Sequence, residues 1–398
     1  MAEYLIQHDT LVNIADAIRA KTSDTKTLTP DKMVNAINSI KSEEAGTTVY
    51  AILYDDGELS IQNDDTQDAS KSVVNRYSFI DKDVWIDQSC VPWNADIYNI
   101  RSVCFRNDIP KMNFAYMFKD AYRLSGCNIE KVNLNNVLTM SHAYFNCRNL
   151  TGSPVCGDNV TSMYYAYSGC INLTGSPVCG DNVINMSGAY ISCYNLTGSP
   201  VCGDNVTSMS SAYSSCYNLT GSPVCGDNVT SMYFTYNSCY NLTGSPVCGD
   251  NVTDMYCTYR NCYNLTGSPV CGNNVTNMAY AYTDCYNLTG SPVCGNNVTN
   301  MYYTYYNCRN LTGNAYFYSS SVTNVRYCFY NKNNSIRLNL YVPSNSTTNT
   351  TIHYNNSYSL VGTSITWTNA GTYQYNTTYN IYIYPVANVA AAREANGD

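Results

Sequence analysis

The residues able to do chemistry in this sequence come in columns. Cys147, Cys170, Cys193, Cys216, Cys239, Cys262, Cys285 and Cys308 recur every 23 residues, and Cys156, Cys179, Cys202, Cys225, Cys248, Cys271 and Cys294 repeat at the same interval. Twenty cysteines suit a disulfide framework in a small exported domain. The chain, however, opens without a basic stretch leading into an apolar run, so export is not expected. No Cys-x-x-Cys pair supplies zinc-ligand spacing. A thiol is small and readily buried, and both columns are read as inward-facing thiols. Asp158, Asp181, Asp204, Asp227 and Asp250 form another column, continued by Asn273 and Asn296. Calcium would use the carboxylates, but turn and capping chemistry also accounts for the exchange of Asp for Asn. The Asn-Leu-Thr triplets, such as Asn149-Leu150-Thr151, are formal glycosylation acceptors that fit an asparagine ladder better. His8, His142 and His353 are too few and too scattered for a histidine metal centre. Glycoside hydrolysis needs a singular carboxylate pair roughly 5–10 Å apart. Here the carboxylates recur once per unit, with Asp250, Asp254 and Asp284 as sporadic departures. With no nucleophile–base arrangement and no phosphate-cradling glycine loop, no enzymatic activity, cofactor or metal is expected.

The functional signal lies where the copies differ. Most positions are nearly identical from copy to copy, whereas the two residues after each Met and the two before each Cys vary. They are drawn from Tyr, Ser, Asn and Gly with occasional Arg, Phe and His, and almost never Lys or Glu. Drift on a solvated face would admit Lys, Glu and Gln, while Tyr with Ser and Asn is the composition of recognition surfaces. Tyr164, Tyr165, Tyr233, Phe234, Asn237, Tyr256, Arg260, Tyr280, Tyr302, Tyr303 and Tyr306 are therefore the expected receptor-contacting residues.

The elements that must position them follow from the repeat. Leu150, Leu173, Leu196, Leu219, Leu242, Leu265, Leu288 and Leu311 mark a unit of 23 residues, with degenerate copies around Phe114–Leu124 and Val325–Phe329 as expected of terminal coils. Met163, Ala166, Tyr167 and Cys170 stand at i, i+3, i+4 and i+7, which predicts one face of a short helix. Gly157-Asp158-Asn159 reads as its entry turn, and Asn172-Leu173-Thr174 or Val155-Cys156 as a short strand stacked from coil to coil. The expected fold is α+β: a solenoid of strand-plus-helix coils over 111–340. An N-terminal helical hairpin (1–45, helices at 8–21 and 30–41), a small β-rich module (46–110) and C-terminal strands with a short helix (341–398) would flank it.

The Ala-Tyr-x-x-Cys-x-Asn-Leu-Thr core with Asn-Val-Thr-x-Met ahead of it resembles BspA-like leucine-rich repeats over about residues 112–340. The Gly-Ser-Pro-Val-Cys-Gly stretch departs from the more apolar strand of that family. The resemblance implies a leucine-rich-repeat solenoid used for adhesion or binding on microbial or viral surfaces. Residues 8–40 resemble the helical hairpin of bacteriophage tail and baseplate proteins, which implies attachment to other virion proteins. Together they give the expected function: a non-enzymatic phage virion protein that binds a host cell-surface glycan or protein, forming a homo-oligomer, a trimer by analogy with tail fibres. The alternatives are a structural spacer or decoration protein of the particle and a bacterial surface adhesin. Composition narrows the partners. With 21 Lys+Arg against 29 Asp+Glu, a net charge of −8 and no basic block, nucleic acid is not an expected partner. No apolar stretch approaches membrane-spanning length, so membrane insertion is not expected.

Overall fold

The computed structural model describes residues 47–80, 85–106, 114–128, 132, 134, 137–311, 313–325, 327–330, 337–343, 349–352, 363–366, 371–376 and 379–397. The chain divides into two compact units, residues 1–48 and 49–398. The expected hairpin helices at 8–21 and 30–41 lie outside the described residues. In the second unit a run of turn-built repeats passes from one five-stranded sheet to another.

The first sheet joins β1 (Thr48–Tyr54), β2 (Glu58–Gln62), β3 (Val73–Ile80), β4 (Ser102–Phe105) and β5 (Gly126–Cys127) in the order β3-β1-β2-β4-β5. The β1–β2 pair is antiparallel, while β2–β4 and β4–β5 are parallel. That parallel edge is what the repeats extend: the Thr151 amide donates to the Ser125 carbonyl (3.2 Å) and the Thr174 amide to Gly152 (2.9 Å). Trp93 closes the junction, stacked on Phe118 with its indole N–H donating to the Met117 carbonyl (2.9 Å). At the far end β6 (Val293–Cys294), β7 (Gly313–Phe317) and β8 (Arg337–Pro343) continue in parallel into β12 (Tyr379–Val386), which pairs antiparallel with β11 (Gly371–Asn376). A separate antiparallel pair is formed by β9 (Asn349–Ile352) and β10 (Thr363–Thr366). A short helix, α1 (Val389–Ala395), follows, capped by the Asn388 side chain.

Among the described residues from Val137 to Leu311 the repeats contain no helix, which corrects the expected α+β leucine-rich-repeat solenoid with a short strand and a short helix per coil. Among the described residues the helical segments are α1 and two 3-10 turns, Gln88–Cys90 and Asn94–Asn99, with Leu134 in a further 3-10 position. The coils meet instead through eight isolated parallel bridges, from Thr139↔Ser162 to Asn300↔Asn324.

The backbone amides give the reason. In the copy that begins at Met186, the amides of Ala189 and Cys193 close tight turns onto the carbonyls of Met186 (3.0 Å) and Tyr190 (3.1 Å). Those of Met186, Gly188, Tyr190 and Ser192 leave the coil for the carbonyls of Ser208, Ser210, Ala212 and Ser214 in the next, at 2.8–3.0 Å. An α-helix would send every one of these amides four residues back. Two residues of each Met-to-Cys stretch are also left-handed, here Gly188 (φ 66°) and Ser192 (φ 59°), as turns with positive φ at their third residue require. Met-x-x-Ala-Tyr-x-x-Cys is thus two consecutive four-residue turns whose ends point inward. That arrangement has the same i, i+3, i+4, i+7 spacing as a helix face.

The inward residues form the core. In a central copy Val206, Met209, Ala212, Tyr213, Cys216 and Leu219 are all fully buried. Tyr144, Tyr167, Tyr190, Tyr213, Tyr236, Tyr259, Tyr282, Tyr305 and Phe329 stack in one column, with centroids 5.2–5.6 Å apart and planes within 2–13°. Each such contact contributes roughly 0.5–1.5 kcal/mol beyond burial. The tyrosine hydroxyl crosses the coil to satisfy backbone that the Pro-Val stretch leaves without a ladder. Tyr213 Oη accepts from the Val201 amide (3.1 Å) and donates to the Val201 carbonyl (2.6 Å). The cysteine Sγ behind it donates to a carbonyl of the preceding copy, as Cys216 does to Tyr190 (3.0 Å). Where Thr235 or Thr258 replaces the inward Ala, its hydroxyl donates to the Met209 or Met232 carbonyl, so neither hydroxyl is stranded.

The left-handed positions make the two architectures distinguishable by one substitution. Ser192→Gly should raise stability by about 0.5–1 kcal/mol, because it relieves an L-residue at positive φ. Gly169 holds the same place one copy earlier. In a helix the same change would lower stability by about 0.5 kcal/mol. Urea unfolding of the two proteins reads the sign.

Candidate recognition surface

The two turns decide which side chains face outward. In each copy the residue after Met, the left-handed residue following it and the two before Cys are the middle residues of the turns, so their side chains point away from the inward column, although Cys257, Ala279, Ser168, Ser238, Thr283 and Asn307 are themselves buried. Tyr164 and Tyr233 are 38% and 42% exposed. Arg260 is exposed, and Tyr165, Phe234, Asn237, Tyr256, Tyr280, Tyr302, Tyr303 and Tyr306 are half-buried.

The expected contact residues gather into two aromatic banks. Tyr164 and Tyr165 meet edge to face at 4.7 Å and pack on His142 at 5.3 and 5.5 Å. Tyr116 extends this bank, stacked on His142 at 4.8 Å. Burial holds the His142 imidazole below its ordinary pKa, with Lys119 adding to the effect, so at neutral pH it serves as an uncharged ring. The second bank runs from Tyr233 through Phe234 (4.7 Å) and Tyr256 (5.3 Å) to Tyr280 (5.9 Å from Tyr256). It continues through Tyr302 and Tyr303, which lie 5.3 and 5.1 Å from Tyr280, to Tyr306 at 4.8 Å from Tyr303. The Arg260 guanidinium lies over the Tyr280 ring at 5.7 Å. Asn237 has no ring partner and donates to Ser214 Oγ (3.3 Å). The banks are not continuous, because Ser187, Gly188, Ser210 and Ser211 stand between them.

Four of the expected contact rings sit on strained backbone, as do Tyr116 and His142 of the first bank (φ 60° and 56°). Tyr165, Phe234, Tyr280 and Tyr303 have φ of 53–58°, where Gly188 and Ser211 occupy the same column. A bulky residue there costs roughly 1–2 kcal/mol.

A further ladder on the surface was not among the expected contact residues. Tyr194, Tyr217, Tyr240, Tyr263 and Tyr286 stack at 4.7–4.9 Å, and the Arg309 guanidinium covers the last ring at 4.2 Å. Its signal in the sequence is the Tyr that follows Cys in five successive copies. That residue is invariant there, and variability alone does not detect it.

A family model described as "Mycoplasma protein of unknown function, DUF285" matches residues 88–177, 111–199 and 230–341, more than half of the chain. The chain belongs to this family. The matched stretches fall on the repeats and agree with the BspA-like repeat resemblance. Searches of curated proteins and of solved structures return no match.

In this DUF285 protein all twenty cysteines are thiols, none joined in a disulfide. Among the described residues no group of three or more His, Cys, Asp or Glu is placed to hold a metal ion, and no helix is long and apolar enough to cross a membrane. Asp158 and its column are exposed, and each following Asn donates to the preceding Asp carbonyl, as Asn182 does to Asp158 (2.8 Å). The Asn-Leu-Thr asparagines from Asn218 to Asn287 pair down their own column, Asn264 Nδ2 reaching Asn241 Oδ1 at 3.4 Å, while Asn195 donates to the Ile171 carbonyl (3.0 Å).

The thiols give the repeats a pH signature. Burial lifts Cys156 and Cys179 from an ordinary value of 9.0 to about 11, and Cys202, Cys248 and Cys271 to about 12. The folded chain favours the protonated thiol, so this stabilisation is whole below pH 9.0 and is lost as pH rises through about 11 to 12. At about pH 8 a thiol reagent should modify exposed Cys90 quickly and both columns slowly, whereas all twenty cysteines react in denaturant. A denatured count well below twenty would contradict the thiol assignment.

Proposed function

We propose that the chain is a non-enzymatic binding protein whose variable aromatic face contacts a receptor, a glycan or a protein, on the surface of a host cell. The observation that carries this reading is the second bank, a contiguous group of tyrosines with Phe234 held on a rigid backbone register. Packed tyrosines lose little entropy on binding, and their hydroxyls add directional contacts. The strained backbone under Tyr165, Phe234, Tyr280 and Tyr303 supports the same reading. Glycine is accommodated in that column, and strain kept against such an alternative is characteristic of functional positions.

The finer reading places the protein on a phage particle, in a tail fibre or baseplate, fixed through residues 1–45 and acting as a homo-oligomer. Its support is the resemblance of residues 8–40 to phage tail hairpins. A bacterial surface adhesin is the second reading, supported by the description of the matched family as a Mycoplasma protein. A spacer role would be supported by the uniformity of the buried columns, though it assigns nothing to the variable ones. Immunogold labelling of purified particles and of cells separates the two locations.

Replacing Tyr164, Tyr233, Tyr256 and Tyr303 together by Ala should weaken attachment to host cells at least about tenfold, with the melting temperature held within about 5 °C. Unchanged attachment in that folded variant would leave only the spacer.

A further inference from the structure

The interruption between the two aromatic banks is itself shaped. The bridges Ser162↔Asn185, Asn185↔Ser208 and Ser208↔Ser231 set three coil steps between the copy of Tyr164 and that of Tyr233, or about 14 Å at the ordinary strand spacing. The two copies between carry only Ser187, Gly188, Ser210 and Ser211 where their neighbours carry rings. Ser187 Oγ hydrogen-bonds Ser208 Oγ (2.7 Å) and Ser210 Oγ bonds Ser231 Oγ (3.1 Å), which fixes a hydroxyl-lined floor. At Gly188 an added Cβ would lie 3.0 Å from the carbons of the Tyr165 ring, so that ring spreads over the glycine.

The walls are the most exposed rings of the face. Tyr164 has its ring partners, Tyr165 and His142, in its own and the preceding copy. Tyr233 has its partners, Phe234 and Tyr256, in its own and the following copy. Each therefore lacks an aromatic neighbour on the side of the notch. No wall or floor residue is charged. An anionic ligand would find no cation to pair with there. A compact uncharged ring carrying hydroxyl groups finds tyrosine faces for its C–H surface and serine hydroxyls for its polar edge.

We infer that the notch bounded by Tyr164 and Tyr233 and floored by Ser187, Ser210, Ser211 and the Tyr165 ring that covers Gly188 is a binding site for a neutral saccharide residue. This rests on the receptor-binding reading above and narrows it to one class of ligand.

The chain itself supplies the variant that tests it. Ser210→Tyr with Ser211→Phe copies the Tyr233–Phe234 pair of the next repeat, so the filled notch has a precedent for folding on this backbone. The full chain would be titrated against neutral hexose and N-acetylhexosamine oligosaccharides and against their sialylated forms, beside an Asp204→Asn variant outside the notch, an exchange the later copies already carry at Asn273 and Asn296. The neutral panel should bind, and the filled variant should lose at least about tenfold in affinity while the outer variant stays within about twofold. Equal affinity of the filled variant, or preference for the sialylated forms, would overturn the site. Cell attachment that persists with no saccharide binding would also overturn it, identify a protein partner and leave the receptor reading intact. Absence of attachment by the wild-type chain would remove the receptor reading as well.

Discussion

The structure depends on where the backbone amides of one eight-residue stretch point. Between Met and Cys they go alternately to a carbonyl three residues back and to a carbonyl of the next copy, as Ala189 and Tyr190 do. This alternation excludes a helix, sets the stacking register and leaves each coil dependent on its neighbours. An isolated coil would lose the outgoing bonds together with the burial of Met, Tyr, Cys and Leu, so stability is collective along the ladder. At the two ends the sheets continue the short ladder of the coils, the Ser125 amide donating to the Arg101 carbonyl and that of Tyr316 to Pro292.

The same constraint builds the surface. A turn with a left-handed third residue presents two middle side chains at fixed angles, and the register repeats them once per coil. The outward rings are therefore ordered before any partner arrives, which lowers the entropy lost on binding. Inside, the Tyr213-type hydroxyl occupies both backbone groups of a Val that lies beyond the reach of the ladder. A phenylalanine there would leave a buried amide and carbonyl unpaired. The tyrosines thus divide by which way a turn points them: cross-coil struts within, and without the aromatic face proposed as the contact surface.

Much of this was legible in the sequence. The 23-residue period, the inward columns and the outward variable positions all follow from spacing, because in–out alternation survives whichever local conformation carries it. The helix did not follow, since Met-x-x-Ala-Tyr-x-x-Cys fits a helix face and a pair of turns equally. The discriminating signals were weaker. Asn146, Gly169, Ser192, Ser215, Ser238, Asn261, Asp284 and Asn307 in one column are residue types that tolerate positive φ. Tyr, Ser, Asn, Thr and Cys also sit low on the helix-propensity scale. The first left-handed column, with Tyr165, Phe234 and Tyr303, carries no such signal. The break between the aromatic banks does stand in the aligned copies, as Ser187-Gly188 and Ser210-Ser211, whereas the greater exposure of Tyr164 and Tyr233 beside it does not.

The coil-to-coil register can be observed directly by NMR through scalar couplings across hydrogen bonds in a labelled protein. The amide nitrogen of Tyr190 should couple to the carbonyl carbon of Ala212, and that of Gly188 to Ser210. Coupling of Tyr190 to Met186 instead, the helical partner four residues back, would contradict the turn-built ladder and with it the surface derived from it.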